Sequence, residues 1–198
     1  MGGLPQQISI SEPSDEHVNA RYNVYCAIFR EKVLGKNEIQ VKLMTHLFAW
    51  CEWSWRVVGI SEAALRHIKN RDYSSESKKG LIRHHFIQER TTTYRSMFRT
   101  TSRKKPMGKN EWWKTFWEND ATVIVTKEEH DESKGEKSYY LPLNWRCGHF
   151  AGNSLIGFKM RKTVEGKVLK RQIEEDRILE NRKNFKTLDE LKNSSATA

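Results

Sequence analysis

The chain has 198 residues, of which 37% are hydrophobic and 30% charged, with seven Trp, eight Phe and six Tyr. That is enough for one substantial domain, or for a small helical domain followed by an α+β one. There is no apolar run of membrane-spanning length, and Met1–Gln7 lacks the pattern of a signal peptide, so we expect a cytoplasmic protein with no membrane partner. Three widely spaced cysteines argue against a disulfide framework or a zinc knuckle. The net charge of +10 points to a polyanion such as nucleic acid.

Two helices are predicted in the N-terminal part. The first covers residues 14–35, with Ser14 or Asp15 as the N-cap and apolar residues at helical spacing as far as Gly35. The second covers residues 37–59, where one apolar stripe runs along the helix and Gly59 ends it. The two helices are expected to pack together.

A third helix is predicted in SEAALRHIKN, beginning at Ser61. It follows the second helix after only a few residues, and this spacing permits a helix-turn-helix-like arrangement with this segment as the recognition helix. The alternative is a packing helix with a solvated polar face. A polar segment follows, and we place a soft domain boundary near residue 75, between a helical DNA-engaging part (1–75) and a catalytic part (76–198). The recognition helix would offer four side chains to base edges or phosphates: Arg66, His67, Lys69 and Asn70.

The basic excess is largest just after this boundary. Residues 81–109 carry eight basic and one acidic side chain, a net +7, whereas residues 110–140 carry four basic and eight acidic ones, a net −4. Within the basic stretch, an apolar strand LIRHHFI is followed by a short helix TTTYRSMFRT and a basic loop TSRKKPMGKN. The predicted phosphate contacts of this stretch are Arg83, Arg90, Arg95, Arg99, Arg103, Lys104 and Lys105.

The later segments continue the alternation of helix and strand. EWWKTFWEN is predicted as a helix and TVIVT as a strand, followed by a helix that Thr126 and Glu129 begin as a capping box. A charged helix is predicted over residues 167–192, and NSSATA as a disordered tail. The clusters WCEWSW and EWWKTFW are interpreted mainly as core, the alternative being stacking on unpaired bases.

Four side chains form the main candidate site. His84 and His85 lie on one predicted strand, Asn119 follows in a loop, and His130 begins the helix after the next strand. This order resembles the HNH branch of the His-Me finger endonucleases, and the matching pieces are IRHHFI, END, ATVIVT and KEEHDE. The resemblance covers roughly residues 81–135 and implies an α+β, helix-rich chain with a ββα-metal finger followed by a C-terminal helix.

The resemblance also implies the role of each residue. His84 and His130 would bind a divalent metal such as Mg²⁺, His85 would be the general base, and Asn119 would brace the loop, with Asn110 as its substitute. Asp131 or Glu128 are alternative oxygen ligands. Adjacent residues of a strand point to opposite faces, so His84 and His85 can serve one site only if the strand end is twisted or bulged. Arg83, Arg90 or Arg95 would clamp the same phosphate.

A simpler interpretation stays open for the histidines. One of the pair would face the core and the other solvent, and His130 would be a surface residue beside favourable acidic neighbours. A carboxylate site of the kind found in many restriction nucleases has only one weak match, formed by Asp131, Glu136 and Lys137.

The sequence therefore predicts a metal-dependent DNA endonuclease, in its most specific form a type II restriction enzyme. A homodimer is expected if the target is palindromic. Two alternatives remain: a basic nucleic-acid-binding protein without catalytic activity, and an RNA-directed nuclease with the same finger.

Overall fold

The computed structural model describes residues 11–31, 37–49, 51, 53–73, 79–85, 87–98, 105–131, 138–143, 152–153, 157–158, 179, 183 and 185–195. The predicted phosphate contacts Arg99, Arg103 and Lys104, and most of the predicted C-terminal helix, lie outside these residues. The helices are α1 (Asp15–Arg30), α2 (Asn37–Ala49), α3 (Glu62–Lys69), α4 (Arg90–Phe98), α5 (Lys109–Asn119), α6 (Lys127–Asp131) and α7 (Leu188–Ser195). The strands are β1 (Val57–Ser61), β2 (Leu81–His85), β3 (Thr122–Thr126), β4 (Tyr140–Pro142), β5 (Gly152–Asn153) and β6 (Gly157–Phe158). The predicted mixture of helix and strand is confirmed.

Four strands form one mixed sheet in the order β2-β3-β1-β4. β3 is buried along its whole length, which suits its run of β-branched residues, and it pairs parallel to β1 and antiparallel to β2. The β2–β3 register is continuous from Leu81 opposite Thr126 to His85 opposite Thr122. β2 is therefore a regular strand at the edge of the sheet, and α6 packs against it.

Helix beginnings follow the predicted caps. The Ser14 side chain accepts a hydrogen bond from the backbone N–H of His17, and Ser61 accepts one from Ala64. At α6 the Glu129 N–H donates to the Thr126 hydroxyl at 3.2 Å, and the Thr126 N–H donates to the Glu129 carboxylate at 2.9 Å. The reciprocal bonds confirm the predicted capping box and fix where β3 turns into α6.

The prediction for residues 37–59 is wrong in its second half. α2 ends at Ala49, and Val57–Ser61 form a fully buried strand in which Gly59 is an interior residue rather than a helix stop. A Cβ on Gly59 would lie 2.8 Å from the Leu191 side chain, so the glycine permits close approach of α7. β1 also separates α2 from α3, and the expected helix-turn-helix is not formed there.

Packing joins residues on either side of residue 75. One aromatic core is shared by α1, α2, α4 and α5, and its largest fully buried members include Tyr25, Phe48, Tyr94 and Trp112. The sheet likewise pairs β1 with β3, and residues of both pack against α3 on one face. Residues before and after the boundary predicted near residue 75 therefore contribute to the same cores.

The C-terminal prediction is corrected in the part that is described. Phe185 is buried and Lys186 forms a bridge with Tyr140, so the chain is extended at a point where the continuous helix was expected. α7 then begins at Leu188 and includes Asn193–Ser195, which were predicted as tail. The bridge between Lys186 and Tyr140 accounts for the extended segment. Burial of Leu191 against the sheet accounts for the position of α7.

Candidate functional site

His84 and His130 meet at the junction of β2, β3 and α6. Their Nδ1 atoms are 3.0 Å apart, and their rings are nearly perpendicular with centroids 5.1 Å apart. His84 is half-buried on the strand, while His130 is exposed on the helix. Two residues 46 positions apart in sequence are thus brought together with ring nitrogens facing each other. Their role as metal ligands stays a prediction.

The position of α6, which carries His130, is set by its neighbour Glu129. That carboxylate accepts hydrogen bonds from the Ser61 hydroxyl at 2.6 Å and from the Ser138 hydroxyl at 2.7 Å, besides the capping bond from Thr126. These bonds tie the first turn of α6 to β1 and to the residues before β4. The five-residue helix therefore has a fixed orientation, which holds His130 against His84.

The separation of the two Nδ1 atoms suits a direct hydrogen bond between the rings, and it also suits two ligands of one cation. Nitrogens bound at about 2.0–2.1 Å to one cation lie about 3.0–3.4 Å apart, depending on the coordination geometry. Burial lowers the pKa of His84, and the charge of His130 lowers it further, which keeps its imidazole in the neutral, ligating form. No group of three or more His, Cys, Asp or Glu placed to hold a metal occurs within the described part of the chain. Neither Glu128 nor Asp131, both exposed, completes such a group.

His85 lies on the other face of β2. Because the register is regular, adjacent side chains alternate, and the bulge that would bring His84 and His85 to one site is not formed. The His85 ring packs against the Trp55 ring with centroids 4.6 Å apart. Burial lowers the pKa of His85 to about 3, and the nearby positive charges of Arg90 and Arg83 add to this shift. His85 is therefore neutral at pH 7.

A charged cluster, which we call the arginine cluster, surrounds Trp55 on this face. It consists of Arg83, Arg90, Asp120, Ser54 and His85. Arg90 is only 4% exposed, and its Nη2 lies 2.5 Å from a carboxylate oxygen of Asp120 and also donates to the Ser54 hydroxyl. The guanidinium carbons of Arg83 and Arg90 lie 4.5 and 4.6 Å from the centre of the Trp55 ring. Such stacking is typical of arginine beside tryptophan.

Trp55 is held in an unusual conformation at the centre of this cluster. Its φ angle is 60°, in the left-handed region that non-glycine residues rarely adopt. Its backbone N–H donates to the Asp120 carboxylate at 2.7 Å, which stabilises this conformation. Strained residues held in this way are concentrated at functional sites.

The other predicted site residues are dispersed. Asn119 donates to the carbonyl of Thr115 within its own helix and does not brace a loop. Arg66 pairs with Glu62 on the exposed side of α3 at 2.6 Å. Arg95 is half-buried on α4. The remaining predicted residues are exposed, and none is a sequence neighbour of His84 or His130: Lys69, Lys105 and Asn110, the last of which was predicted as a substitute for Asn119.

Sequence reasoning missed Asp120 and Trp55. Asp120 directly follows Asn119 in END, and the chain turns between α5 and β3 at this point, which buries the aspartate rather than the asparagine. Because an acidic residue that follows a helix usually faces solvent, the hydrophobic periodicity of the sequence does not identify Asp120 as buried. Trp55 was interpreted as a core residue of a helix, and its position depends on that helix ending at Ala49.

No family model, curated protein or solved structure matches the chain. Its chemistry must therefore be argued from its own residues. No helix among the described residues is both long and apolar enough to cross a membrane.

Proposed function

We propose that this chain is a metal-dependent DNA endonuclease in which His84 and His130 bind a divalent cation. The observation that carries the proposal is the 3.0 Å approach of their Nδ1 atoms across β2 and α6. Two neighbouring strands and the helix after them supply this pair, which is the order of elements that the resemblance to HNH endonucleases implies.

The donor set fits a transition metal better than Mg²⁺. Imidazole nitrogen is the ligand that Zn²⁺, Ni²⁺ and related ions prefer, whereas Mg²⁺ takes oxygen ligands and keeps its waters. When bound, the cation would neutralise charge on the phosphate oxygens and polarise a water molecule. The protein's own contribution is to hold the two imidazoles in place through the capping box and the bonds of Glu129.

A nucleic-acid substrate is supported by the distribution of charge. The most basic stretch, residues 81–109, begins with β2 and therefore includes His84 itself. Lysine and arginine side chains in such a stretch attract the phosphate backbone regardless of sequence. DNA is the substrate we propose, and RNA is the alternative that the same chemistry would serve.

His85 has a positioning role in this proposal. Its ring packs on Trp55 on the face of β2 opposite His84, and we assign it the task of holding the end of the strand rather than activating water. Asn119 has no role in the proposal, because its amide is bound to its own helix.

The proposal is tested by offering plasmid DNA and RNA separately to the purified protein with Mg²⁺, Mn²⁺, Ni²⁺, Zn²⁺ or EDTA. We expect metal-dependent cutting of DNA that is lost in His84→Ala and in His130→Ala, and retained in His46→Ala, which removes an exposed histidine of α2. Calorimetric titration with Ni²⁺ or Mn²⁺ should show one site in the wild-type protein and in His46→Ala, and none in the other two variants. Metal binding without cutting of either polymer would contradict the nuclease.

A further variant separates the two roles of His85. His85→Phe keeps an aromatic ring against Trp55 but has no nitrogen to accept a proton. Retained cutting supports the positioning role, whereas a folded, metal-binding and inactive variant would restore His85 as the general base. Salt-sensitive DNA binding without cutting in any metal would favour the non-catalytic binding protein.

A further inference from the structure

The arginine cluster contains hydrogen-bond donors that the described part of the protein does not use. Arg90 is buried, and although its Nη2 meets Asp120 and Ser54, its Nε and Nη1 have no hydrogen-bond partner among the described residues. The same is true of Trp55 Nε1 and of His85 Nδ1. Buried polar atoms are nearly always satisfied, so four unpartnered nitrogens around one ring need an explanation.

These atoms share one neighbourhood. The Arg90 guanidinium and the His85 ring both lie 4.6 Å from the Trp55 ring, and Arg83 adds a second guanidinium at 4.5 Å. Trp55, His85 and Arg83 are half-buried and lie beside the deeper Arg90. A rigid fork of N–H donors beside an indole N–H and an imidazole suits an oxyanion with several acceptor oxygens.

The charges nearby favour an anion. Asp120 is the carboxylate in contact with Arg90, and it occupies one side of that guanidinium only. The charge of Glu12 affects a different arginine, Arg56. Burial lowers the pKa of Arg56 to about 10, and the negative charges of Asp120 and Glu12 oppose this decrease. No second carboxylate is paired with Arg90 among the described residues.

We propose that Arg90, Trp55, His85 and Arg83 form a binding site for one phosphate group, on the face of β2 opposite the histidine pair. This site does not depend on the proposed nuclease activity, because it requires neither a metal nor cleavage. It also differs from a clamp on the phosphate that is cut, since alternation along β2 directs Arg83 and His85 away from His84. The phosphate could be inorganic phosphate or a phosphate of a nucleic-acid strand.

The first test is titration with inorganic phosphate in EDTA, by calorimetry and by thermal unfolding, against sodium chloride at equal ionic strength. We expect saturable binding of phosphate and an increase in Tm beyond that in chloride. The same increase in both salts would overturn the proposal.

Variants locate the site. Trp55→Phe and His85→Phe each remove one unpartnered nitrogen and keep a ring in place, and together they should weaken phosphate binding at least about tenfold. Arg30→Gln, which removes an exposed arginine of α1, is the matched control and should bind as the wild type does. Arg90→Lys keeps a charge next to Asp120 but loses the fork, and should weaken binding similarly if it folds. Unchanged affinity in the Trp55→Phe, His85→Phe double variant would overturn the proposal, and this holds even if Arg90→Lys does not fold.

Oligonucleotides then identify the source of the phosphate. Short thymidine oligomers with a 5′-phosphate or a 5′-hydroxyl are titrated in EDTA, with and without inorganic phosphate as competitor. Preference for the 5′-phosphate assigns the site to a strand end. Equal binding of both, weakened in the double variant, assigns it to an internal phosphodiester. Binding of inorganic phosphate that neither oligomer displaces assigns it to the free ion.

Discussion

The two faces of β2 place adjacent histidines in opposite surroundings. His84 shares its face with His130, near solvent, at the edge where α6 begins. His85 shares its face with Trp55, Arg83 and the buried Arg90, where polar groups are enclosed between the sheet and the helical core. The comparison shows that strand alternation can place the same residue type in two different environments. One histidine lies against a second imidazole, and the other is buried against Trp55 and kept neutral.

The buried face should be the more sensitive to loss of charge. Arg90→Met leaves the Asp120 carboxylate in the interior without its ion-pair partner, and we expect the free energy of unfolding to fall by about 3–5 kcal/mol. Urea unfolding measures this. Arg66→Met is the control, because its pair with Glu62 is exposed and should contribute less than about 1 kcal/mol. Equal losses in the two variants would mean that the arginine cluster is solvated rather than buried.

The two faces should also differ in their dependence on pH. With a pKa of about 3 in the folded protein, His85 stays neutral at pH values where the unfolded chain, with a histidine pKa of about 6.5, is already protonated. The unfolded state then binds more protons, so stability is lost as the pH falls from about 6.5 towards 3, by about 1.4 kcal/mol per pH unit for this one group.

His85→Phe should remove that part of the slope and keep the contact with Trp55. The measurement is urea unfolding in EDTA between pH 7 and pH 4.5, with His46→Phe, on the exposed side of α2, as the control. If the His85→Phe slope equals that of the wild type, His85 is accessible to protons in the folded state, and the contrast between the faces would have to be abandoned.

The face of β2 that carries His84 depends on a smaller effect, the capping of α6. Thr126→Ala removes the hydroxyl that accepts the Glu129 N–H and should destabilise the protein by about 1 kcal/mol. It should also weaken Ni²⁺ binding, because α6 carries His130. Thr187→Ala is a matched control: Thr187 and Glu190 form the same reciprocal bonds at α7. Its stability loss should be similar and its metal affinity unchanged. Equal metal affinity in both variants would show that capping does not position His130.

Local sequence signals predicted much of the site's framework. The caps at Ser14, Ser61 and Thr126 act over three residues, and the strand LIRHH and the strand TVIVT are marked by β-branched and apolar runs. The pairing of His84 with His130 was implied by the resemblance to the HNH endonucleases. Residues 50–61 could not be predicted in the same way, because tryptophans and valines at mixed spacing suit a helix as well as a buried strand.

The sequence by itself determined the order of elements around the histidines, the capping of α6 and the location of the basic stretch, because these depend on neighbours within a few residues. Only the tertiary structure decided that His84 and His85 belong to different sites, since this depends on the regular register between β2 and β3. It also decided that Asp120 and Trp55, rather than Asn119, complete the buried face. Contacts between residues 65 positions apart, such as Trp55 with Asp120, arise from packing the helical core against the sheet.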